Sequence, residues 1–334
     1  MNLKIKKIDY YLPKNIETND YLQEENPEWN LGRVARKSGV LQRHISDADE
    51  TAYDLSLKAC ERALEDYDKC QIDGIIYCTQ SPDFIMPSNA FLLHKDLKLR
   101  DEVFAFDFNH ACTGYIYSLV IANSFIKSSM AKNILLVNAD TYSKYINKKD
   151  RSTRVLFGDA AAVTIVESSD SCKGIIDFEL ASSGKNYDKF WIPSGGLRNP
   201  KSDSTSIEIE NYMGNIRSQE NIEMDGLAVW SFINSVVPNQ IDNLLDRNKI
   251  SISEIDQIIF HQASLMTLES IIDSMKLDKD KVFINIEKVG NTVSSSIPIA
   301  LKDALDQGRI TKGSKIILSG FGVGLSYGSI LMEY

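Results

Sequence analysis

The stretch QIDGIIYCTQS at 71–81 returns as EIDQIIFHQAS at 254–264, and KNILLVNAD at 132–140 returns as SKIILSGFG at 314–322. Ile72 and Ile255 stand 183 residues apart, and Ile134 and Ile316 stand 182 apart. Two matches at nearly one offset suggest a duplicated half. That constrains the fold strongly, because what one half builds the other must build again.

Hydrophobic periodicity gives each half a similar order of elements. MNLKIKKIDYYLP reads as an opening strand. A helix at 52–66, with Leu55, Ala59, Ala63 and Leu64 on one face, precedes a strand at 74–79. A helix at 88–97, a strand at 103–108, a helix at 113–128 and strands at 133–139 and 160–166 follow. The second half reads as a helix at 228–247, a strand at 257–260, a helix at 265–275, a strand at 282–285, a helix at 294–307 and strands at 314–319 and 326–333. Alternating strands and helices imply an α/β fold with mostly parallel sheets covered by helices. The halves are expected at 1–170 and 171–334. The polar stretch 194–224 reads as an insertion of irregular and hairpin structure, either near a substrate entrance or simply a surface loop.

Within FDFNHACTGYIYSL (106–119), Phe104, Phe106 and Phe108 alternate as in a strand, and Ile116, Leu119, Val120 and Phe125 recur at helical spacing. Cys112 falls between the two patterns, at the expected first turn of the helix. Unpaired N–H groups and the helix dipole stabilise a thiolate there. A small core hydrophobe is the competing reading of a lone cysteine. His261 ends the strand QIIF, at a sheet end where α/β sites gather, although a buried core histidine would look the same. Asn291 precedes a helix, so it reads either as a cap or as a site residue. Gly320, Gly322 and Gly324 suggest a dinucleotide loop, but the fingerprint needs a helix and a further strand, and the chain ends ten residues beyond Gly324 in an apparent strand. Glycines also let backbone approach a ligand and aim an N–H at it. Asp159 in LFGDAAAV reads as a turn residue.

With 334 residues and 43% hydrophobic composition the chain can bury a large core. A net charge of −9 and a pI near 5.1 argue against broad nucleic-acid or membrane-surface binding. No signal-peptide pattern opens the chain and no run is apolar enough to span a bilayer. Cys60, Cys70, Cys78, Cys112 and Cys172 form no CxxC pair, which fits a reducing cytosol better than a disulfide framework or a zinc site.

As a set, HACTGY, FGDAAA, HQAS, GNTVSSS and GFGVGLSYG resemble the β-ketoacyl-acyl carrier protein synthase III family of the thiolase superfamily. The resemblance spans essentially the whole chain, from YYLPKNIETN to SYGSILMEY. It implies a five-layered αβαβα fold made from two related halves. It implies a Cys-His-Asn triad at Cys112, His261 and Asn291, an oxyanion hole from the backbone N–H groups of Cys112 and Val323, and substrate contacts at Phe157, Phe321, Gly322, Lys37 and Arg151. Met86 matches a position that reaches into the neighbouring subunit's acyl pocket, which implies a homodimer; filling of the chain's own core is the bland reading. The implied chemistry is acyl loading on Cys112 from an acyl-CoA or acyl carrier protein, then decarboxylative condensation with malonyl-ACP or malonyl-CoA. No metal or redox cofactor is implied.

The departures from the family pattern lie at the entrance. Ser264 replaces an Asn that orders the site. Met266 and Ser231 stand where an Arg and a Lys are usual. The tryptophan that stacks on the coenzyme A adenine would fall near Arg33, with Trp29 as a possible substitute. Arg33, Arg36, Lys37, Lys148, Lys149, Arg151 and Arg154 remain as basic candidates for carrier docking. Two other function classes fit the sequence: acyl transfer from Cys112 to an oxygen or nitrogen acceptor without decarboxylation, and a non-catalytic partner subunit, against which the intact triad weighs.

Overall fold

The strand Gly74–Cys78 reads GIIYC, with all five residues buried. Ile76 joins one hydrophobic cluster, and Ile75 and Tyr77 join another, as the two-residue period demands of a strand covered on both faces. Asn133–Asp140 divides in the same way, with Ile134 and Leu136 on one side and Leu135 and Val137 on the other. In the computed structural model, which describes residues 1–170 and 173–334, these strands belong to a five-stranded sheet. Its order is Asn2–Tyr11, Ala160–Ser169, Asn133–Asp140, Gly74–Cys78, Phe104–Phe108. A four-stranded sheet has the order Gln257–Phe260, Lys315–Gly322, Ser326–Glu333, Gly174–Ser182. The repeated segments of the sequence form the parallel pair in each sheet, with Ile76 opposite Leu136 and Ile259 opposite Leu318.

Helices Gly114–Lys127 and Ser296–Asp306 lie between the sheets. Ile116, Leu119, Ile297 and Leu301 share one core with Ile76 and Leu136 of the first sheet and Ile259 and Leu318 of the second. Gly114–Lys127 buries residues on several sides, including Tyr115, Ile116, Leu119 and Val120, as a helix sandwiched between sheets must. Ala52–Ala63 and Asn89–Asp96 cover the outer face of the first sheet through Leu55, Ala59 and Leu93. Gly226–Asn248 and Leu265–Met275 cover the second through Val237, Ile241, Leu268 and Ile272. The result is five layers: helix, sheet, helix, sheet, helix. Local signals set the outer helices. Thr51 and Asp54 form a reciprocal capping box, and Asp225 accepts the Ala228 N–H, each cap contributing about 1 kcal/mol.

The expectation of mostly parallel sheets does not hold. Ala160–Ser169 and Asn2–Tyr11 run antiparallel to their neighbours, as do Ser326–Glu333 and Gly174–Ser182. Lys315–Gly322 and Ser326–Glu333 follow one another through a tight turn, and a link that short cannot make the crossover a parallel pair needs. The strand expected at 282–285 is a single bridge from Val282 to Ile258, because the chain enters the helix Ile286–Val289 at once. Gly174–Ser182, absent from the sequence-based order, is an edge strand whose Asp177 and Glu179 interrupt the apolar pattern. The stretch 194–224 holds a small hairpin, Ile209–Glu210 with Ile216–Arg217, and Glu223–Met224 pairs with Phe190–Trp191. Cys60, Cys70, Cys78 and Cys112 are free thiols; Cys172 lies outside the described residues. Among those residues no helix is long and apolar enough to cross a membrane.

Candidate active site

Cys112 lies in the loop between the strand Phe104–Phe108 and the helix Gly114–Lys127, whose N-cap is Thr113. It therefore precedes the helix rather than occupying its first turn, and the Gly114 N–H is already taken by the Ala111 carbonyl at 2.7 Å. Two glycines of the strand Lys315–Gly322 explain themselves here. A Cβ on Gly322 would fall 2.6 Å from the Cys112 sulfur, and one on Gly320 would fall 2.7 Å from the Cys112 carbonyl oxygen. Real Cβ atoms do not approach so closely, so this glycine run lets backbone pass the cysteine. It leads into the strand Ser326–Glu333 rather than into a nucleotide-binding helix.

Two backbone N–H groups, of Val323 and of Cys112 itself, are directed at the Cys112 sulfur and favour its anion, but burial outweighs them and pushes the thiol up to about 12. Asp140, buried and raised to about 7 by desolvation, adds to that rise. Cys112 thus rests as a protonated thiol, not the helix-stabilised thiolate that the sequence suggests. Because protonation persists below the raised value, alkylation of Cys112 by iodoacetamide is expected to climb about tenfold per pH unit from pH 7 to 9 without levelling. Intact-mass kinetics that level off below pH 8 would show a stabilised thiolate instead.

His261 follows the strand Gln257–Phe260, and its N–H donates to the Ser319 carbonyl at 2.8 Å. The side chain is buried, its Nδ1 has no partner among the described residues, and desolvation lowers it to about 3. The imidazole is therefore neutral throughout the physiological range. Asn291 is stitched to the glycine turn after Phe157. Its N–H donates to the Leu156 carbonyl at 2.8 Å, and its carbonyl accepts from Gly158 at 3.0 Å. Its Oδ1 accepts the Val293 N–H at 3.0 Å, the cap-like bond, while Nδ2 donates at 3.5 Å to the Ala263 carbonyl. Asn291 thus braces the turn at Val293 and also lines the cavity, while the N-cap of the helix Ser296–Asp306 is Ser295. Asp159 is a turn anchor as expected, accepting from Ser46 and Ser143.

Cys112, His261 and Asn291 line one cavity of about 410 Å³ together with Phe157, Phe321 and Gly322. Lys37 and Arg151 line it as well. Met86 does not. It is 80% exposed on a loop beside Phe84 and Ile85, so it fills no core of its own chain. Trp29 is buried against Leu22, Leu31 and Val155 and is not on the cavity wall. Ser264 caps the helix Leu265–Met275, its Oγ accepting the Thr267 N–H at 3.2 Å. Arg154 is withdrawn from the surface, held by Glu17 at 3.0 Å and Glu25 at 2.6 Å, and Lys149 pairs with Glu208.

Sequence reasoning missed Trp230, Met213, Met224 and Phe190 on the cavity wall. Met213 and Met224 are apolar residues set in a polar stretch, a signal that could have found them. The insertion is tied over the cavity by Arg217, which bonds the fully buried Asp150 at 3.2 Å, and by the Ile222 N–H, which donates to the Tyr145 carbonyl at 2.9 Å.

Comparison with known proteins agrees over the whole chain. Residues 106–184 match the family described as 3-oxoacyl-[acyl-carrier-protein (ACP)] synthase III, and residues 245–334 match its C-terminal counterpart. A beta-ketoacyl-[acyl-carrier-protein] synthase III of Fusobacterium nucleatum is 32% identical, with 100% of this chain and 99% of the relative covered. The protein of that name from Clostridium perfringens is 35% identical, with 99% of each covered. A crystal structure of a 3-oxoacyl-(acyl-carrier-protein) synthase III superposes with a TM-score of 0.98 at 34% identity, covering 100% of both chains.

Proposed function

Since this chain belongs to the 3-oxoacyl-[acyl-carrier-protein] synthase III family, we propose that it joins an acyl group to a malonyl thioester through an acyl-Cys112 intermediate. One observation carries the reading. Two backbone N–H groups aim at a buried thiol that shares a single cavity with a neutral imidazole and a carboxamide. The Cys112 sulfur attacks the thioester carbonyl, and the oxyanion forms against the N–H groups of Cys112 and Val323. The thiol proton leaves to the departing carrier thiolate, and the acyl group stays on sulfur. A malonyl thioester then loses CO₂. His261 and Asn291 donate hydrogen bonds to its thioester oxygen and stabilise the enolate. The enolate carbon attacks the acyl carbonyl, the Cys112 thiolate is expelled and takes up a proton from solvent, and a 3-oxoacyl thioester leaves.

In this reading residues 1–170 supply the nucleophile and residues 171–334 the two donors. Exposed Phe84, Ile85 and Met86 support a homodimer. Purified protein given acetyl-CoA and malonyl-ACP is expected to release CO₂ and form acetoacetyl-ACP. Acyl transfer to a hydroxyl or amine acceptor, with no CO₂ released, would replace this reading.

The cavity rim bears on the carrier. Met266 is 43% exposed where a basic residue would face an acidic carrier protein. With Arg154 and Lys149 already paired, Lys37 and Arg151 are the basic residues on the wall itself. Met266→Arg is expected to strengthen carrier-dependent turnover by up to about 1 kcal/mol, with the gain shrinking as salt rises. Arg151→Ala is expected to weaken it. Turnover measured at two ionic strengths checks both. Tight binding indifferent to salt and to both substitutions would place the docking surface elsewhere.

A further inference from the structure

The two N–H groups at the Cys112 sulfur come from different halves of the chain. One belongs to Cys112, in the loop after the strand Phe104–Phe108, and the other to Val323, in the turn after the strand Lys315–Gly322. An oxyanion needs both donors at once, each about 2.7–3.1 Å from one point, and a displacement of about 1 Å costs on the order of a hundredfold in rate. Whatever ties the loop to the turn therefore bears on the rate. The tie is a pair of buried hydroxyls: Thr113 Oγ1 lies 2.8 Å from Ser326 Oγ, across 213 residues of sequence. Among the described residues this is the one hydrogen bond, besides that of the Val323 N–H, between residues 109–113 and residues 323–326.

The direction of this bond follows from the protons on hand. Ser326 has one O–H, which donates to the Val323 carbonyl at 2.8 Å. Thr113 must then donate to Ser326. With its own proton spent, Thr113 accepts from His110, whose Nδ1 is 2.8 Å away and carries a proton here whether the ring is neutral or charged. Donation thus runs from His110 through Thr113 and Ser326 to the backbone of Val323. The His110 ring is itself stacked on Tyr117, with centroids 4.1 Å apart. Thr113 gives up its ordinary role for this. It is the N-cap of Gly114–Lys127, yet its side chain makes no capping bond and its backbone is helical, with φ −89° and ψ −5°. A threonine at an N-cap usually turns its hydroxyl to the free N–H groups of the helix. The opposite strand passes close enough to claim it instead, since a Cβ on Gly320 would fall 3.0 Å from the Thr113 Cα.

We propose that Thr113 and Ser326 are positioning residues for acyl loading, and that their hydroxyl pair fixes the spacing between the Cys112 and Val323 N–H groups. This rests on the reading in which Cys112 is acylated. Neither residue is on the wall of the cavity that holds Cys112, His261 and Asn291, so the pair acts through the backbone. Thr113 follows Cys112 in the chain, and Ser326 grips the carbonyl of the residue whose N–H is used. His261 and Asn291 are held by other bonds, to Ser319, Leu156 and Gly158. Losing a hydroxyl should therefore slow the step that uses the oxyanion hole and spare decarboxylation, whose two donors are anchored elsewhere.

The test measures the two half-reactions separately on the full chain. Loading from acetyl-CoA is followed by intact-protein mass over time at several donor concentrations, and decarboxylation by CO₂ release from malonyl-ACP given alone. Thr113→Val and Ser326→Ala are expected to lower the maximal loading rate about ten- to a hundredfold. The half-saturating acetyl-CoA concentration and CO₂ release are expected to stay close to native, the reverse of the pattern for His261→Ala and Asn291→Ala. Thr113→Ser keeps the hydroxyl and is expected to restore loading. Because the two hydroxyls form one link, the double variant should load no more slowly than the slower single variant. Should Thr113→Val fail to fold, Ser326→Ala carries the test alone. Native-rate loading in both variants would overturn the proposal. So would equal losses of loading and decarboxylation, a change confined to the half-saturating concentration, or losses that multiply in the double variant. A native chain that takes up no acetyl group would overturn acylation of Cys112 itself, and is thereby told apart from loading that ignores the two hydroxyls.

Discussion

Cys112→Ala is expected to abolish acyl loading altogether. The substitution removes one sulfur from a residue on a cavity wall, so the fold is expected to lose no more than about 1 kcal/mol, and thermal melting checks that the variant is intact. The loss of function has no such limit, because without the sulfur there is no atom to carry the acyl group between the two half-reactions. Incubation with acetyl-CoA followed by intact-mass measurement should show one added acyl group on the native chain and none on the variant. Cys60 and Cys78 are buried, and desolvation pushes both thiols well up. Cys70 is the exposed thiol among the described residues, so adventitious acylation would be found there. An acyl mass that persists in Cys112→Ala and maps to any other cysteine would refute the assignment.

His261→Ala and Asn291→Ala are expected to separate the half-reactions. Both variants should still load Cys112, because the two N–H groups at the sulfur come from backbone that neither substitution touches. Both should lose malonyl decarboxylation by about two to three orders of magnitude, the usual cost of removing a donor to a developing oxyanion. Neutral His261 adds a pH signature. Its folded value, near 3, lies below the 6.5 of an exposed imidazole. Its contribution to stability is therefore complete above pH 6.5 and falls away as pH drops from there towards 3, where the unfolded chain binds a proton that the folded chain refuses. The native chain should lose stability over that window relative to His261→Ala. Decarboxylation should show no histidine titration near pH 6.5. Native-like decarboxylation in both variants would remove His261 and Asn291 from the chemistry.

Much of this protein was legible in its sequence because the relevant information is local. Period-two runs such as Gly74–Cys78 and Asn133–Asp140 declare strands buried on both faces, and the helices between them declare their periodicity. The repeat at a step of 182 to 183 residues places the parallel pair of each sheet, and Cys112, His261 and Asn291 stand at element ends where the motifs mark them. Strand direction was less legible, because a strand has the same side-chain alternation whichever way it runs. The turn between Lys315–Gly322 and Ser326–Glu333 decided it in one case, and the packing of edges decided the rest. The protonation state of Cys112 was not legible either. A helix start is written in sequence, but desolvation depends on what the rest of the chain stacks above it, and here burial overrides the two backbone N–H groups at the sulfur and keeps Cys112 protonated. Ring-against-ring contacts such as Tyr142 on Phe157 and Phe190 join residues far apart in sequence, so this stretch of the cavity wall exists only once the sheets, the helices and the tied-down insertion have come together. The sequence determined which chemistry the chain carries; tertiary packing decided the protonation state in which that chemistry rests and the space left for its substrate.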